Sequence, residues 1–303
     1  MTYEELLIQT AQNDERIIVM TAENRALVRN VPKVLGHRFI DTGITEQTMV
    51  GMAAGLALRG RIPIIHALAP FLTMRAYEFI RTDVGIARLP VKLSGYIPGL
   101  LSDGNGPTHQ SIEDVAIMRG IPGMEVYCPA DEDDLLRALP SIWASDAPAY
   151  VRVNHKKGMY THRPFERGRA EVVAEGTDVT ILTYGFLFEN TLKAQRLLEK
   201  DGLSVGLVNM RSLKPVDEEV IVRAARRSQM LVIVEDHLQT GGLYSIVAEV
   251  LLKHMVTAKT LPISFEERWF RPGLLTQVLE TEGLTPERMA EKIHSSSSNL
   301  TYA

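Results

Sequence analysis

Short runs of β-branched and aliphatic residues alternate along this chain with longer stretches in which apolar positions recur every three or four residues. The runs predict strands at 16–20, 62–68, 91–95, 124–128, 149–153, 179–183, 204–208, 230–234 and 261–265, with a further short strand just before Asp41. The helical period predicts helices at 3–12, 46–58, 73–87, 131–144, 187–200, 216–227 and 243–254. Near-continuous apolar strands separated by helices indicate parallel sheets covered on both faces, since each crossover lays a helix on a face. The expected fold is therefore α/β.

The pattern breaks once. Residues 155–169 (HKKGMYTHRPFERGR) are rich in basic residues, His, Gly and Pro and follow no period, so they read as an exposed linker. A chain of 303 residues has room for about two domains. Domains are expected at 1–160 and 173–303, joined through 161–172, each a three-layer α/β unit. The serines at 295–298 read as a frayed tail.

Composition changes this picture little. Apolar types make up 45% and charged types 23%, enough apolar surface to offset chain entropy. Thirty-three basic residues against 37 acidic ones give a net charge of −4, with no footprint for nucleic acid. Cys128 is the single cysteine, which excludes a disulfide framework and suits a reducing cytoplasm. The longest apolar run, 50–58, is about half of what spans a bilayer, and the first residues carry acids where a signal peptide needs cations.

Several chemistries are missing. The sequence has no Gly-x-Gly-x-x-Gly after its first strand, no P-loop, no Gly-x-Ser-x-Gly elbow and no metal-ligand spacing, so no metal is expected on this chain. An α/β protein without its own phosphate cradle binds something simpler or borrows the cradle from another chain.

Two segments carry chemistry. In Asp41-Thr42-Gly43-Ile44-Thr45-Glu46-Gln47, Thr45 is a reasonable N-cap, and Met49, Met52, Ala53 and Leu56 then follow one helical face. Gly51, Ala54 and Gly55 would let another backbone approach that helix. Glu46 thus stands in a first turn at the strand-to-helix edge, where ligands bind in open α/β sheets. It is either an acid complementing the helix dipole or a carboxyl aimed at a ligand nitrogen. The second segment, Asp103-Gly104-Asn105-Gly106-Pro107-Thr108-His109-Gln110, is a glycine-rich loop ending in a histidine that either packs locally or reaches a substrate.

Gly-Ile-Thr-Glu-Gln, Pro70-Phe71-Leu72, the loop through His109 and Pro129-Ala130-Asp131-Glu132 stand in an order that resembles the C-terminal half of a transketolase. Residues 209–217 and 234–242 extend the resemblance over essentially the whole chain. 1-Deoxyxylulose-5-phosphate synthases share the pattern, and the beta chains of 2-oxo acid dehydrogenases share it more distantly.

The resemblance implies a pyrimidine-binding domain followed by a transketolase C-terminal domain. It also implies thiamine diphosphate as cofactor, with Mg²⁺ held mainly by a partner that carries the family's Gly-Asp-Gly…Asn motif, absent here. The implied assembly is a split transketolase of two plus two chains that moves a two-carbon ketol unit from a ketose to an aldehyde. By the same resemblance Glu46 bonds N1′ of the aminopyrimidine and shares a proton there. Ile44, Phe71, Met74 and Tyr77 line the cofactor; Asn105, His109 and Arg152 face the sugar, Arg152 as a phosphate ligand. Phe71 and Tyr77 also suit plain core packing, Arg152 an interface, and His66 the core.

Four positions depart from the family. Met74 stands where transketolases place a stacking phenylalanine, and Asn105 where they place an aspartate. Residues 94–99 lack a phosphate-contacting histidine, and Leu27 replaces a phosphate-binding serine, with Arg25 nearby. These changes point to a donor or acceptor outside the usual phosphosugar pair: an unusual sugar, a sulfonated sugar or a small ketose. A 2-oxo acid decarboxylating subunit and a non-catalytic scaffold of the same fold are the competing readings.

Overall fold

The computed structural model describes residues 1–269 and 271–298. Strands β1 (Ile17–Thr21), β2 (Phe39–Asp41), β3 (Ile62–Leu68), β4 (Lys92–Tyr96), β5 (Glu125–Tyr127) and β6 (Ala149–Val153) come from the first half of the chain. The second half supplies β7 (Glu171–Ala174), β8 (Val179–Thr183), β9 (Val205–Asn209), β10 (Ser212–Lys214), β11 (Met230–Leu238) and β12 (Thr260–Phe265). They form two sheets, of order β10-β5-β6-β4-β3-β1-β2 and β12-β11-β8-β9-β7. All neighbours run parallel except the edge strands β10 and β7. Helices pack on both sheets, so the α/β expectation holds.

The central strands are buried along their whole length, β1, β6, β8 and β9 at every position. That is why they are legible as apolar runs. Where the elements differ from expectation, pairing or winding is the cause. β7 and β10 are edge pieces of four and three residues whose ladder partners, β9 and β5, define them. The helix expected at 73–87 winds instead through two widened, five-residue-per-bond turns, Phe71–Arg75 and Ile80–Gly85, around a short α-turn Tyr77–Phe79. The serines expected to fray belong to the helix Pro286–Ser298, where the Ser295 and Ser296 hydroxyls donate to the carbonyls of Glu291 and Lys292. Among the described residues no helix is long and apolar enough to cross a membrane.

The two sheets are not separate bodies. β10 follows β9 in the chain yet pairs with β5 of the first sheet. One hydrophobic cluster runs continuously from Met20 and Leu93 through Tyr150 to Leu182, Val208 and Leu231.

The expected linker has no helix or strand through residue 170, but it is not a free surface segment. His162 is buried, its Nδ1 2.6 Å from Glu171 and its Nε2 3.1 Å from Asp131. Arg211, at 3% exposure, donates to the carbonyls of Arg163 and Pro164 and to Asp134 at 2.8 Å. The segment is a strap, fixed by charge-assisted hydrogen bonds that a reading of local polarity does not see.

Burial alone would lower the His162 pKa, but the hydrogen bonds to Asp131 and Glu171 outweigh it and push it up to about 9. The folded chain therefore holds a proton that the unfolded chain releases near pH ~6.5. This stabilisation is complete below about pH 6.5 and disappears as pH rises through the folded value. His162→Gln should melt well below the unsubstituted chain at about pH 6, with the gap closing by about pH 9.5 in a thermal-melt series. A gap independent of pH would show that His162 is not the proton-linked group.

Candidate functional site

Because β1, β2, β3, β4 and β6 are parallel, their C-terminal ends share one edge of the first sheet, where such folds bind ligands. The loops after them bring three of the expected residues, Glu46, Phe71 and His109, into one neighbourhood there. After β2 the chain turns at Gly43 (φ +69°), a conformation that suits glycine. The Asp41 carboxylate accepts from Gly43 N–H at 3.0 Å, Glu23 N–H at 3.1 Å and Arg25 Nε at 2.7 Å. Burial would raise the Asp41 pKa, but these donors outweigh it and hold the group ionised below the usual range. Arg25 is thus committed to Asp41, and Leu27 lies in the core.

Helix Glu46–Leu58 starts immediately after this turn. Thr45 does not cap it in the expected way: its hydroxyl donates to Thr42 O at 2.8 Å, away from the helix N–H groups. The buried face is Glu46, Met49, Val50, Ala53, Ala54 and Ala57, while Met52 is 42% exposed. Glu46 itself is 2% exposed, a carboxylate taken out of water at a helix N-terminus.

What compensates it is Arg75, a residue the sequence reading passed over. Arg75 Nη1 donates to Glu46 Oε2 at 2.9 Å, and its guanidinium carbon lies 4.2 Å from the centre of the Phe71 ring. Phe71 in turn meets the His109 ring edge-on, with centroids 5.1 Å apart. Glu46, Arg75, Phe71 and His109 therefore form one contiguous row. The widened turn Phe71–Arg75 presents the aromatic and the guanidinium side by side. Their spacing of four residues was a usable signal, since a cation and an aromatic four apart on a helix meet. The Thr108 hydroxyl is 2.9 Å from His109 Nδ1.

Met74 and Tyr77 are half-buried on the turns that follow Phe71, whereas Ile44 is 70% exposed on the approach to the Glu46 helix. Asn105 is exposed, its amide donating to Ser102 O at 2.9 Å. His66 is a core residue. Its Nδ1 is 3.0 Å from Met20 O and its Nε2 2.8 Å from the Tyr3 hydroxyl, and burial lowers its pKa to about 4.

Arg152 requires a correction. It is 2% exposed and does not join the row of site residues. Its Nε and Nη2 donate to Asp114 at 2.9 and 2.6 Å, its Nη1 to Asp236 at 2.6 Å, and Nη2 also to Ser111 O at 3.0 Å. With these donors committed to internal acceptors, it offers no fork to a substrate phosphate. Asp114 and Asp236 share the cation unequally. Burial raises both pKa values, but Asp114, with two Arg152 bonds and the Tyr150 hydroxyl, ends low, whereas Asp236 ends high.

The start of helix Leu243–Lys253, just after Gly241 and Gly242, is occupied by an internal carboxylate. Glu235 accepts from Leu243 N–H at 2.6 Å and Tyr244 N–H at 3.0 Å, and burial pushes its pKa up to about 7. Asp134, His162 and Glu171 place ligand atoms within 4.8 Å of one another. Asp134 and Glu171 already accept from Arg211, Asn209, His162 and the N–H groups of Ala130 and Arg163, so this is the strap's anchor rather than a vacant metal cage.

Residues 1–160 match the transketolase pyrimidine binding domain, and residues 168–289 match the transketolase C-terminal domain. The chain is 35% identical over 298 residues to the 6-deoxy-6-sulfo-D-fructose transketolase subunit SqwH of Clostridium sp. (strain MSTE9), covering 97% of this chain and 92% of that protein. It is 33% identical over 297 residues to 1-deoxy-D-xylulose-5-phosphate synthase of Syntrophotalea carbinolica, covering 95% of this chain but 46% of that enzyme. The fold is similar to a solved split gene transketolase described as an inactive beta4 tetramer, with a TM-score of 0.86, 31% identity, and coverage of 98% of this chain and 96% of that one.

The internal pairing of Arg152 has a measurable consequence. Arg152→Met leaves two facing buried carboxylates without their cation and should lower unfolding stability by about 3–5 kcal/mol in urea titrations. A variant of unchanged stability would contradict the internal role.

Proposed function

This chain belongs to the transketolase family, and on that premise we propose that it is the pyrimidine-binding and C-terminal half of a split transketolase. The family implies dependence on thiamine diphosphate. In the proposed reaction a ketose is cleaved between C2 and C3 and its two-carbon ketol unit passes to an aldehyde. The observation that carries the reading is the Glu46 carboxyl, buried at a helix start and in line with Phe71 and His109.

The residues present fit an aminopyrimidine. Such a ring needs a carboxyl out of water to hold a proton at N1′ and apolar side chains for its faces. Glu46 meets the first need, and half-buried Phe71, Met74 and Tyr77 the second. When bound, thiamine diphosphate supplies the nucleophilic carbon that takes up the ketol unit. Glu46 holds the shared proton at N1′. Arg75 fixes Glu46 Oε2, and Oε1 has no partner among the described residues. Ile44, just before the helix start, would cover the cofactor. His109 and Asn105, on the loop beside Phe71, hold oxygen groups of the sugar.

Nothing in the sequence supplies a phosphate cradle, so the diphosphate and its Mg²⁺ fall to a partner subunit. Support for such a partner comes from apolar side chains left in water along the Glu46–Leu58 helix and the turns after Phe71: Ile44, Leu58 and Ile86 are 70–74% exposed, with Met52 and Phe79 partly so. Gly55 has no atom near its Cβ direction, which leaves the same helix open to close approach. Two plus two chains is the assembly that closes such sites in pairs. The departures at Asn105, Leu27 and 94–99 favour a substrate other than the common phosphosugars. The name of the Clostridium relative, which specifies a sulfonated fructose, is in keeping with that. The likeness to 1-deoxy-D-xylulose-5-phosphate synthase supports a second, decarboxylating reading.

Glu46→Gln in the assembled complex should lose turnover by ~10²-fold or more, the range of an acid–base contact. Turnover near that of the unsubstituted complex would refute the assignment. Cofactor titration should show binding only when the partner is present; no binding with any diphosphate-type partner would favour a scaffold. CO₂ release from pyruvate, without transfer between ketose and aldehyde, would favour the decarboxylating reading.

A further inference from the structure

Residues 99–113, which carry Asn105 and His109, form a long loop with one helical turn, Asp103–Asn105, before helix Asp114–Arg119 begins. The loop base is closed by Gly99 and Ser111: Gly99 N–H donates to Ser111 Oγ at 2.8 Å, and Ser111 N–H to Gly99 O at 3.2 Å. The first sheet supplies one further tie, Arg152 Nη2 to Ser111 O. Leu275 N–H, at the start of helix Leu275–Thr281, donates to Asp103 Oδ1 at 2.5 Å, and three consecutive residues of β11 in the second sheet tie the loop and the helix that follows it. Asp236 Oδ2 accepts from Leu100 N–H at 3.3 Å, His237 Nε2 from Ala116 N–H at 3.3 Å, and Leu238 N–H donates to Ile112 O at 2.8 Å.

The chemistry of each contact is fixed. A carbonyl only accepts, so His237 Nδ1, 2.6 Å from Leu238 O, must carry the proton. Nε2 is then bare and able to accept. Burial lowers the His237 pKa to about 4, which keeps this neutral form at neutral pH. Asp236 is placed between two donors, Arg152 on Oδ1 and Leu100 N–H on Oδ2. The approach is so close that a Cβ on Gly99 would lie 1.5 Å from Asp236 Oδ2. Gly99 also has φ +59°, so both backbone conformation and space demand glycine there.

We infer that Asp236 is a positioning residue for the His109 loop, supplied by the C-terminal domain to the site built on the first sheet. This rests on the reading of His109 as a substrate-facing group. Asp236 touches neither substrate nor cofactor. It sets where the loop leaves the sheet, and so where His109 stands against Phe71. The C-terminal domain thereby takes part in the site.

Asp236→Asn is the discriminating variant. A carboxylate offers an acceptor to both Arg152 and Leu100 N–H, whereas an amide offers one oxygen and turns an N–H₂ toward the other donor. Hydrogen exchange of the chain should show amides within 99–116 exchanging about tenfold faster or more, with β8 and β9 unchanged. In the assembled complex, kcat for transfer should fall about tenfold while thiamine diphosphate affinity stays within about twofold. Gly99→Ala, which keeps Asp236 and Arg152 chemically intact, should loosen the same amides. Unchanged exchange in 99–116 for both variants, or equal acceleration throughout both domains, would overturn the inference. His109→Ala separates the two readings. Full turnover in that variant with a loosened loop in Asp236→Asn would remove the role of His109 and leave the contact standing. Lost turnover in His109→Ala with an unaltered loop and rate in Asp236→Asn would remove the positioning role alone.

Discussion

A guanidinium buried between a carboxylate at a helix start beside the first sheet and one on a strand of the second holds the halves of this molecule in register. Arg152 rises from the last parallel strand of the first sheet, Asp114 starts a helix on that sheet, and Asp236 belongs to β11 of the second. Taking three charges out of water is costly, and the cost is met only where every lone pair and N–H finds a partner. Here the Tyr150 hydroxyl, Ser111 O and Leu100 N–H complete the set, and Arg152 lies over the Tyr184 ring at 5.3 Å. A shift of one sheet against the other would leave buried charge unpaired. This demand makes the interface specific in a way that the continuous apolar cluster around it does not.

The same arrangement reaches the candidate site. The loop that brings His109 to Phe71 leaves the sheet beside Asp236 and returns beside Ser111, so its base is part of the ion-paired seam. At the other end of the row, Arg75 neutralises Glu46 while lying against Phe71. The row thus has a buried acid at one end and a histidine on a tethered loop at the other. Between them stands an aromatic ring held by a cation. The C-terminal half is covalently far from this row and physically adjacent to it.

Legibility in the sequence followed burial. β3, β6 and β8 coincide with their apolar runs residue for residue, because strands covered on both faces admit little else. Glu46 was legible from its place in a first turn, and Phe71 and His109 from motif order. Arg75 was missed although its spacing from Phe71 was informative, because attention to apolar periodicity passes over a cation. Arg152 was misread because a strand-end arginine offers the same fork to a phosphate or to two internal carboxylates. Only the position of Asp236, 84 residues further on, decides between them.

The sequence alone determined the α/β class, the central strands, the acid at the start of the second long helix and the lack of a phosphate cradle. Each of these is local: a run of side chains, a spacing or a motif and its absence. The tertiary structure decided the partners: Arg75 for Glu46, the strap for His162, Asp236 for Arg152, and β10 for the first sheet. Those pairings depend on where distant segments come to rest. A charged side chain in a sequence states that it will need a counterpart in a low-dielectric interior, but only the packed fold specifies which one lies within reach.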